Sequence, residues 1–519
     1  MATATDTDSA PRSLEIETDR VLARTRTPFG IVDLGSNSIR LVVYDDLSRA
    51  PFARFNEKSM VALGDAIGAD GALSEDAMAQ ARRALRRFHM IARAAGVERV
   101  DVLATEATRK ASNGRAFLDA IRAETGFEAR ILTGAEEARF AAMGVLSGFF
   151  QPHGLIGDMG GGSLEVAEVH GDAVGNRKKS MPLGALPVLR LLQAGVDTAK
   201  AQVDAALADG LPKSIETSTF YAVGGGWRAL ARVHAARCEH RLSVVHGYEV
   251  AGGDLWTLAK KVARMSRGEI AELPDVPGRR VRTLAASSLV MWRVLKTLRP
   301  DRVVFSALGV REGWLYSQLD AEDRALDPLL EGAQTIGLPM ARVPAFPAAL
   351  ARWTDTLFED ETLQQRRLRL AACALTDIAW RDAQKLRAQE TFRRLLHFPF
   401  IGIGHDERAF LALAIRARYG GKPDEAALSQ IAGLLSDNHI RRAYILGRAL
   451  LLGHRFSASV PGILSRSRLR IGPKSVVLEV EDEVPAPDSE AVQSRLRQLA
   501  RAAGLANAEL RTVGTSLLL

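Results

Sequence analysis

One short motif occurs twice in the chain, and its two copies lie about 125 residues apart. Residues 33–39 read DLGSNSI and residues 158–164 read DMGGGSL, so both fit the frame Asp-x-Gly-x-x-Ser-aliphatic. Apolar and β-branched residues flank each copy, which predicts two strands joined by a tight turn. Because the spacing is about one domain length, the repeat predicts two similar α/β halves, each opening with a hairpin.

Each of the two turns is rich in the residues that aim backbone amides at one point. Such amide concavities bind anions, and a neighbouring carboxylate can hold a divalent cation against the anion. A single copy would be read equally well as an ordinary hairpin turn. Two copies predict a phosphate-binding cleft whose substrate contacts come from Ser36, Asn37, Ser38, Gly160, Gly161, Gly162 and Ser163.

Three carboxylates are candidate cation ligands beside these turns. Glu165 follows Asp158 by seven residues, across the second turn, and Asp33 opens the first turn. Asp158 and Glu165 are expected to bind the ion, with Asp33 reaching it directly or through water. The alternative for Glu165 is an outward-facing strand residue.

A general base and a phosphate clamp are expected between the two motifs. Glu136 and Glu137 begin a predicted helix, and because neighbours cannot share a helix face, at most one points inward. First-turn charge that stabilises the helix is the alternative. Arg109 follows a strand and enters a helix, a position from which it would clamp phosphate, although a surface role is the alternative.

Four other residues could carry chemistry, but a structural role is the favoured interpretation for each of them. Trp227 follows a triple glycine and would stack on a base, but core packing is the favoured interpretation. His397, His405 and Asp406 fit no trusted ligand spacing.

Composition narrows the class of protein. The chain has 519 residues, two cysteines and a net charge of +8. This length predicts about three domains. The small number of cysteines suits a reducing cytoplasm. No apolar run approaches the roughly 18 residues of a membrane span. The positive charge makes an anionic partner or substrate more plausible than a neutral one, without choosing among nucleic acid, anionic lipid and polyphosphate. No specific nucleic acid and no membrane is predicted as a partner.

Five segments are expected along the chain. Residues 1–28 are predicted to be a disordered leader, and residues 29–147 and 148–320 are predicted to be the two α/β halves. Residues 321–455 are predicted to form an Ala/Leu/Arg-rich helical domain, and residues 456–519 a small α/β appendage.

The motifs together resemble the exopolyphosphatase and guanosine pentaphosphate phosphohydrolase family, within the actin-like, Hsp70-like and sugar-kinase-like ATPase superfamily. The resemblance is carried by five segments, which are 32–38, 104–109, 134–139, 158–165 and 309–313. It implies two duplicated RNase H-like domains that close on a Mg²⁺-dependent site, with Mn²⁺ as a substitute ion. It also implies that Glu137, which precedes Ala-Arg, is the catalytic glutamate, and that the protein is a homodimer.

The last third matches more loosely. Longer family members carry a helical domain related to His-Asp metal hydrolases, but the separated ligand set is not evident here. A degenerate domain without its own metal, serving the interface or the polymer channel, is therefore expected. Seven arginines are candidates to line such a channel, namely Arg366, Arg367, Arg369, Arg393, Arg394, Arg441 and Arg442.

The favoured function is that of an exopolyphosphatase, which removes the terminal residue of inorganic polyphosphate and releases orthophosphate. The first alternative is hydrolysis of guanosine pentaphosphate. A superfamily ATPase or sugar kinase, with Gly224–Gly226 as its nucleoside turn, and a non-catalytic polyphosphate-binding regulator are further alternatives.

Overall fold

The computed structural model describes residues 14–211, 218–358, 360–484 and 489–514. These residues form two compact units, one made of residues 25–324 and the other of residues 14–24 with 325–514. The two predicted α/β halves thus belong to a single unit. No helix of the described residues is long and apolar enough to cross a membrane.

The segment predicted to be a disordered leader contains a helix, α1 (Thr18–Ala23). The backbone N–H of Glu17 donates to Gln334 Oε1 at 2.6 Å, and the guanidinium of Arg20 is hydrogen bonded to Glu331. The prediction of disorder is therefore wrong for residues 18–23, because long-range polar contacts order them. Residues 1–13 lie outside the described residues.

The first half of the 25–324 unit is a five-stranded sheet with helices. Its elements are β1 (Phe29–Leu34), β2 (Ile39–Tyr44), β3 (Ala53–Ser59), α2 (Glu75–Ala94), β4 (Arg99–Ala104), α3 (Glu106–Lys110), α4 (Gly114–Thr125), β5 (Ala129–Ile131) and α5 (Gly134–Gly148). As predicted, Ser74 caps α2 through its side chain. Apolar side chains of β1, β2, α2 and α4 form one core of this half.

The second half is a six-stranded sheet with helices. Its elements are β6 (His153–Met159), β7 (Leu164–His170), β8 (Ala173–Met181), α6 (Ala185–Leu192), α7 (Val196–Gly210), β9 (Thr219–Val223), α8 (Gly225–Arg237), β10 (Tyr248–Ala251), α9 (Gly252–Val262), α10 (Arg267–Ala271), a 3₁₀ turn (Gly278–Arg280), α11 (Leu284–Leu298), β11 (Arg302–Phe305), α12 (Val310–Ser317) and α13 (Ala321–Arg324).

The two sheets share one topology, as the repeated motif predicted. The first has the order β3-β2-β1-β4-β5 and the second contains β8-β7-β6-β9-β11, extended by β10. In each sheet the first three strands are antiparallel neighbours, and the next two run parallel to the motif-bearing strand. The duplicated α/β fold is therefore confirmed.

Helices α5 and α12 pack together in an apolar core that both sheets share. Their approach is so close that a Cβ on Gly313 would lie 1.7 Å from the Phe140 carbonyl oxygen, and a Cβ on Gly144 would lie 2.3 Å from the Gly309 oxygen. Only glycine fits at such contacts. The packing brings the first turns of both helices to one pocket.

The second unit is mainly helical and ends in a small sheet. Its further elements are α14 (Pro328–Gly337), α15 (Phe346–Thr354), α16 (Leu363–Ala374), α17 (Arg387–His397), α18 (His405–Arg418), α19 (Glu425–Leu428), α20 (Asp437–Ser457), α21 (Pro461–Leu464), β12 (Ser467–Ile471), β13 (Ser475–Glu481), α22 (Glu490–Ala502) and β14 (Asn507–Val513), with 3₁₀ turns at Leu338–Met340, Asp355–Leu357 and Ser429–Ile431. The sheet order is β12-β13-β14. A helical region followed by an α/β piece is the predicted order of elements.

Two of the arginines expected to line a channel are core residues instead. Arg367 and Arg369 are 0% and 1% exposed. Arg367 pairs with Asp327, and Arg369 pairs with Glu361 at 2.9 Å. The prediction that they line a channel is wrong for these two residues, because their guanidinium groups form buried ion pairs.

Candidate active site

The two motif turns line one pocket of about 200 Å³ in the 25–324 unit. They have the same backbone geometry: the N–H of Gly35 donates to the Ser38 carbonyl at 3.1 Å, and that of Gly160 donates to the Ser163 carbonyl at 3.0 Å. They also touch, since a Cβ on Gly161 would lie 3.2 Å from the Cβ of Ser36. The predicted meeting of the two turns is thus observed.

The carbonyl groups of the second turn are held by the chain that follows β8. Those of Gly160, Gly161 and Gly162 accept from the amides of residues 184–186 at 2.8–3.1 Å. Among the described residues, no backbone carbonyl accepts from the amides of Gly161 or Gly162. These two donors remain available to an anion in the pocket.

Asp158 and Glu165 stand directly opposite each other on β6 and β7. Glu165 is 3% exposed, and its Oε1 accepts from Ser180 Oγ at 2.7 Å. Burial raises the pKa of Asp158 to about 6. Burial, together with the charge of Glu137, raises the pKa of Glu165 well above its ordinary value. The charge of Arg228 partly offsets the rise at Asp158.

The two adjacent glutamates of α5 have different surroundings. Glu136 closes a capping box, in which its Oε2 accepts from the Thr133 N–H at 2.9 Å while its own N–H donates to Thr133 Oγ1. Glu137 is 6% exposed and lines the pocket. The capping box therefore turns Glu136 outward and Glu137 inward.

Arg109 lies beside Glu137. It donates to Glu137 Oε1 at 2.5 Å and also to the Leu132 carbonyl, and it does not itself line the pocket. Burial raises the pKa of Glu137 to about 7, and the hydrogen bond and charge of Arg109 partly offset that rise. The arrangement differs from the predicted phosphate clamp, because the guanidinium is engaged by the glutamate.

Glu106, at the start of α3, is a pocket residue that the sequence did not single out. It is 7% exposed, and its Oε1 accepts from Lys110 Nζ. Its charge is a further cause of the raised pKa of Glu137. It thus joins Glu137, Asp158 and Glu165 in the lining of the pocket.

Asp33 is paired with an arginine of the second half. Arg311 Nη1 donates to Asp33 Oδ2 at 3.0 Å, and Arg311 is oriented by Glu312, which also accepts from Tyr44 Oη at 2.8 Å. Burial works to lower the pKa of Arg311, but Glu312 and Asp33 outweigh it and the pKa is raised. The negative charge of Asp33 is therefore balanced by Arg311, which was not part of the predicted cation site.

Four further cations line the pocket. They are Arg40, Lys58, Arg228 and Arg280. Burial, followed by the charges of Arg280, Arg279 and Arg40, lowers the pKa of Lys58 to about 8. A group of mutually repelling cations favours an anionic ligand. The position of Arg40 in the pocket could have been predicted from the sequence, because it follows Asp33 by seven residues, as Glu165 follows Asp158. The positions of the other three cations could not have been predicted in this way.

No group of three or more His, Cys, Asp and Glu side chains in the described ranges forms a ready-made metal cage. Mg²⁺ usually binds through one or two carboxylates and completes its shell with water and phosphate oxygens. Asp158 and Glu165, with their raised pKa values, fit that mode.

Two residues weighed for other roles are structural. Trp227 is 0% exposed and donates from its indole N–H to the Ser287 carbonyl at 2.9 Å. Its predicted core position is confirmed. His405 is buried at the start of α18.

Comparison with known proteins links the chain to phosphatases. A model described as the Ppx/GppA phosphatase family matches residues 42–322, and one described as the exopolyphosphatase C-terminal domain matches residues 329–510.

Two curated relatives are similar to the chain at low identity. Retrograde regulation protein 2 of Saccharomyces cerevisiae is 28% identical over 470 residues, which are 82% of this chain and 76% of that protein. Exopolyphosphatase 1 of Mycobacterium tuberculosis is 28% identical over 306 residues, which are 56% of this chain and 88% of that protein.

A solved structure supports the fold alone. The PPX-GPPA enzyme of Aquifex aeolicus superposes with a TM-score of 0.50 at 24% identity, covering 57% of this chain and 100% of that one.

Proposed function

Because the chain belongs to the Ppx/GppA phosphatase family, we propose that it is an exopolyphosphatase that cuts orthophosphate from the end of inorganic polyphosphate. The observation that carries this proposal is the mixed charge of the pocket lining. The buried Glu137 and the Asp158–Glu165 pair line the same pocket as the cations Arg40, Lys58, Arg228 and Arg280. A linear polyanion matches such a pocket when its terminal phosphate meets the carboxylates and the following phosphates meet cations.

The terminal phosphate is held by backbone amides. The donors are the amides of Gly161 and Gly162, whose carbonyl groups are bound elsewhere and do not repel the anion. Ser36, Asn37 and Ser38 approach from the facing turn. Fixed amide dipoles of this kind stabilise the charge that develops during phosphoryl transfer.

Glu137 acts as the general base. Its pKa of about 7 is close to the optimum for a base at neutral pH. A water oxygen attacks the terminal phosphorus in line with the bridging oxygen, and the water proton passes to Glu137. The bond from phosphorus to the bridging oxygen breaks, and the shortened chain leaves with that oxygen. Arg109 positions the base through its hydrogen bond to Oε1.

Asp158 and Glu165 would hold Mg²⁺, or Mn²⁺ in its place. When bound, the ion would neutralise phosphate oxygens and so assist the departure of the leaving group. Lys58 and Arg280, which lie near each other in the pocket lining, hold the phosphates that follow the terminal one.

A non-catalytic regulator is the second candidate, and one observation favours it. The yeast relative named a regulation protein matches 82% of the chain, whereas the exopolyphosphatase relative matches 56%. A regulator would bind polyphosphate without releasing phosphate.

Guanosine pentaphosphate hydrolysis would use the same carboxylates, with a nucleoside in place of the continuing phosphate chain. A superfamily ATPase or kinase would place a nucleoside on the Gly224–Gly226 turn, but a Cβ on Gly225 would lie 2.0 Å from Arg280 Nη2. That guanidinium argues against the nucleoside site.

Phosphate release separates these candidates. Long-chain polyphosphate, guanosine pentaphosphate and ATP are offered at equal concentration with Mg²⁺, and orthophosphate is measured. We expect release chiefly from polyphosphate. Preference for the nucleotide would replace the proposed substrate, and polyphosphate binding without release from any of the three would favour the regulator.

A further inference from the structure

Arg228 is a pocket cation that the fold places beside Asp158. Asp158 stands opposite Val223, the last residue of β9, and the chain then enters α8 through the turn at Gly224. This turn packs tightly against β6, because a Cβ on Gly224 would lie 2.3 Å from the Met159 carbonyl oxygen. Among the charged groups that act on the pKa values of Arg228 and Asp158, each has the largest influence on the other. The two charges are therefore close together.

Backbone carbonyl groups, and not a carboxylate, hold the guanidinium of Arg228. Its Nη1 donates to the carbonyl oxygen of Ser306 at 3.1 Å and to that of Ala307 at 3.4 Å. This segment is itself fixed. The N–H of Ser306 donates to the Ala222 carbonyl oxygen at 3.0 Å, and the N–H of Ala307 donates to His246 Nδ1 at 3.3 Å. The guanidinium is thus positioned before any ligand arrives.

The other two nitrogen atoms of this guanidinium are free to bind a ligand. Within the part of the chain that the structure describes, neither Nε nor Nη2 of Arg228 donates a hydrogen bond to the protein. Arg311, by contrast, is paired with both Asp33 and Glu312. Burial lowers the pKa of Arg228 to about 10, so the group is still charged at neutral pH. Charged donors without partners favour an anionic acceptor.

The surroundings of Arg228 differ from those of Lys58, which is expected to hold the chain of phosphates. Lys58 lies among other cations, which act on its pKa. Arg228 instead lies beside Asp158, and the amides of Gly161 and Gly162 follow that aspartate in the same motif. These amides are the proposed donors to the terminal phosphate. Arg228 thus belongs to the part of the pocket in which the reacting phosphate would lie.

We infer that Arg228 is a catalytic residue that contacts the terminal phosphoryl group and the bridging oxygen that leaves it. The inference rests on the proposed function. Negative charge grows on the bridging oxygen as its bond to the terminal phosphorus breaks, and a fixed guanidinium stabilises this charge more than it stabilises the bound substrate. Arg228 keeps its proton and donates only hydrogen bonds, so the water proton still passes to Glu137. An arginine of the same chain has this role in some other phosphoryl-transfer enzymes.

Steady-state hydrolysis of long-chain polyphosphate tests the inference, because transition-state contacts and binding contacts change different constants. A fixed donor to the developing charge contributes about 10²–10³-fold to kcat. Arg228→Gln should lose about that factor in kcat with little change in KM. Arg228→Lys keeps the charge but not the planar fork and should recover only part of the rate. Lys58→Ala should raise KM more than it lowers kcat.

Two further measurements separate catalysis from a structural role. Arg237→Gln changes an exposed arginine of the same helix and should match the wild type in both constants. Millimolar guanidinium chloride should restore part of the kcat of Arg228→Ala, because the ion can occupy the space that the side chain leaves. It should not restore the rate of Glu137→Gln. Melting temperatures verify that each variant is folded.

An unchanged kcat in Arg228→Gln would overturn the inference. A loss confined to KM would also overturn it, because Arg228 would then only bind the chain. So would a slow variant with a much lower melting temperature and no rescue, since the role would then be structural. Failure of the proposed function is distinguishable: a wild type that releases no orthophosphate ends both, whereas equal kcat in an active wild type and Arg228→Gln ends only this inference.

Discussion

Arg109 and Glu137 are 28 residues apart in the sequence and joined by a hydrogen bond of 2.5 Å between Nη1 and Oε1. A neighbouring pair has the same composition, since Arg130 donates to Glu136, but that pair is exposed. The first pair includes the pocket residue Glu137, whereas neither Arg130 nor Glu136 lines the pocket. This contrast supplies a matched control for the role of each charge.

Replacing Arg109 should change the pH dependence of hydrolysis. Glu137 must be deprotonated to act as a base, so kcat/KM should rise with pH through about 7 in the wild type. Arg109 lowers the pKa of Glu137, and Arg109→Gln should therefore move this rise to higher pH. The measurement is a pH profile of kcat/KM.

The control for that experiment is Arg130→Gln, which breaks the exposed pair with Glu136 and should leave the profile in place. A profile that moves equally in both variants, or in neither, would contradict the assignment of Glu137 as the base.

Removing Lys58 should weaken polyphosphate binding. A charge contact in a partly exposed site contributes up to about 1 kcal/mol, or about fivefold in affinity. We expect Lys58→Ala to lose about that much at low salt and to show a shallower salt dependence, because fewer charges are screened. Isothermal titration with a short polyphosphate measures both, and Lys261→Ala, an exposed lysine outside the pocket, should match the wild type. An unchanged affinity in Lys58→Ala would remove Lys58 from the binding site.

Asp158→Asn should stabilise the metal-free protein at high pH. Burial raises the pKa of Asp158 from its ordinary 3.8 to about 6. A carboxyl group with a raised folded-state pKa contributes stability that is complete below about pH 4 and is lost as pH rises through 6. The wild type therefore carries a penalty at pH 8 that the amide avoids.

The melting temperature of Asp158→Asn is expected to exceed that of the wild type by about 2–4 °C at pH 8. This difference should shrink towards zero near pH 4. Asp172→Asn, at an exposed position, provides the reference. A lower melting temperature of Asp158→Asn at pH 8 would show instead that the folded protein stabilises the ionised carboxylate.

Gly313→Ala should separate α5 from α12. Its Cβ would lie 1.7 Å from the Phe140 carbonyl oxygen, a backbone atom that cannot move by itself. Overpacking typically costs 1–3 kcal/mol, and we expect a loss of about 3 kcal/mol in the free energy of unfolding by urea denaturation. Gly253→Ala, which meets nothing within 4 Å in α9, should be close to neutral. Equal stability of the two variants would contradict the described packing of the helices.

Local patterns were sufficient to predict the elements that carry the two turns. Both hairpins, the capped helix α2 and the start of α5 follow from alternation, capping residues and glycine, all of which act over a few residues. The repeat also indicated that the two turns would meet, because a duplicated fold places equivalent edges together.

Such local patterns could not predict contacts between residues that are far apart in the sequence. Lys58 comes from β3 and Arg280 from a 3₁₀ turn more than 200 residues later, and only the tertiary fold brings them together. Arg367 looked like a channel residue because its partner Asp327 is 40 residues away. Glu106 lies in segment 104–109, which carries the family resemblance, but no local pattern indicated that its carboxylate would line the pocket.

The central claim is that Glu137 removes the proton from the attacking water. Its most direct test is orthophosphate release from long-chain polyphosphate by the wild type, Glu137→Gln and Glu136→Gln, with polymer binding measured in parallel. General base catalysis contributes about 10²–10⁴-fold, so Glu137→Gln should lose about 10³-fold in kcat while still binding polymer. Glu136→Gln, which can still close the capping box, should keep its rate. Undiminished phosphate release by Glu137→Gln would contradict the claim.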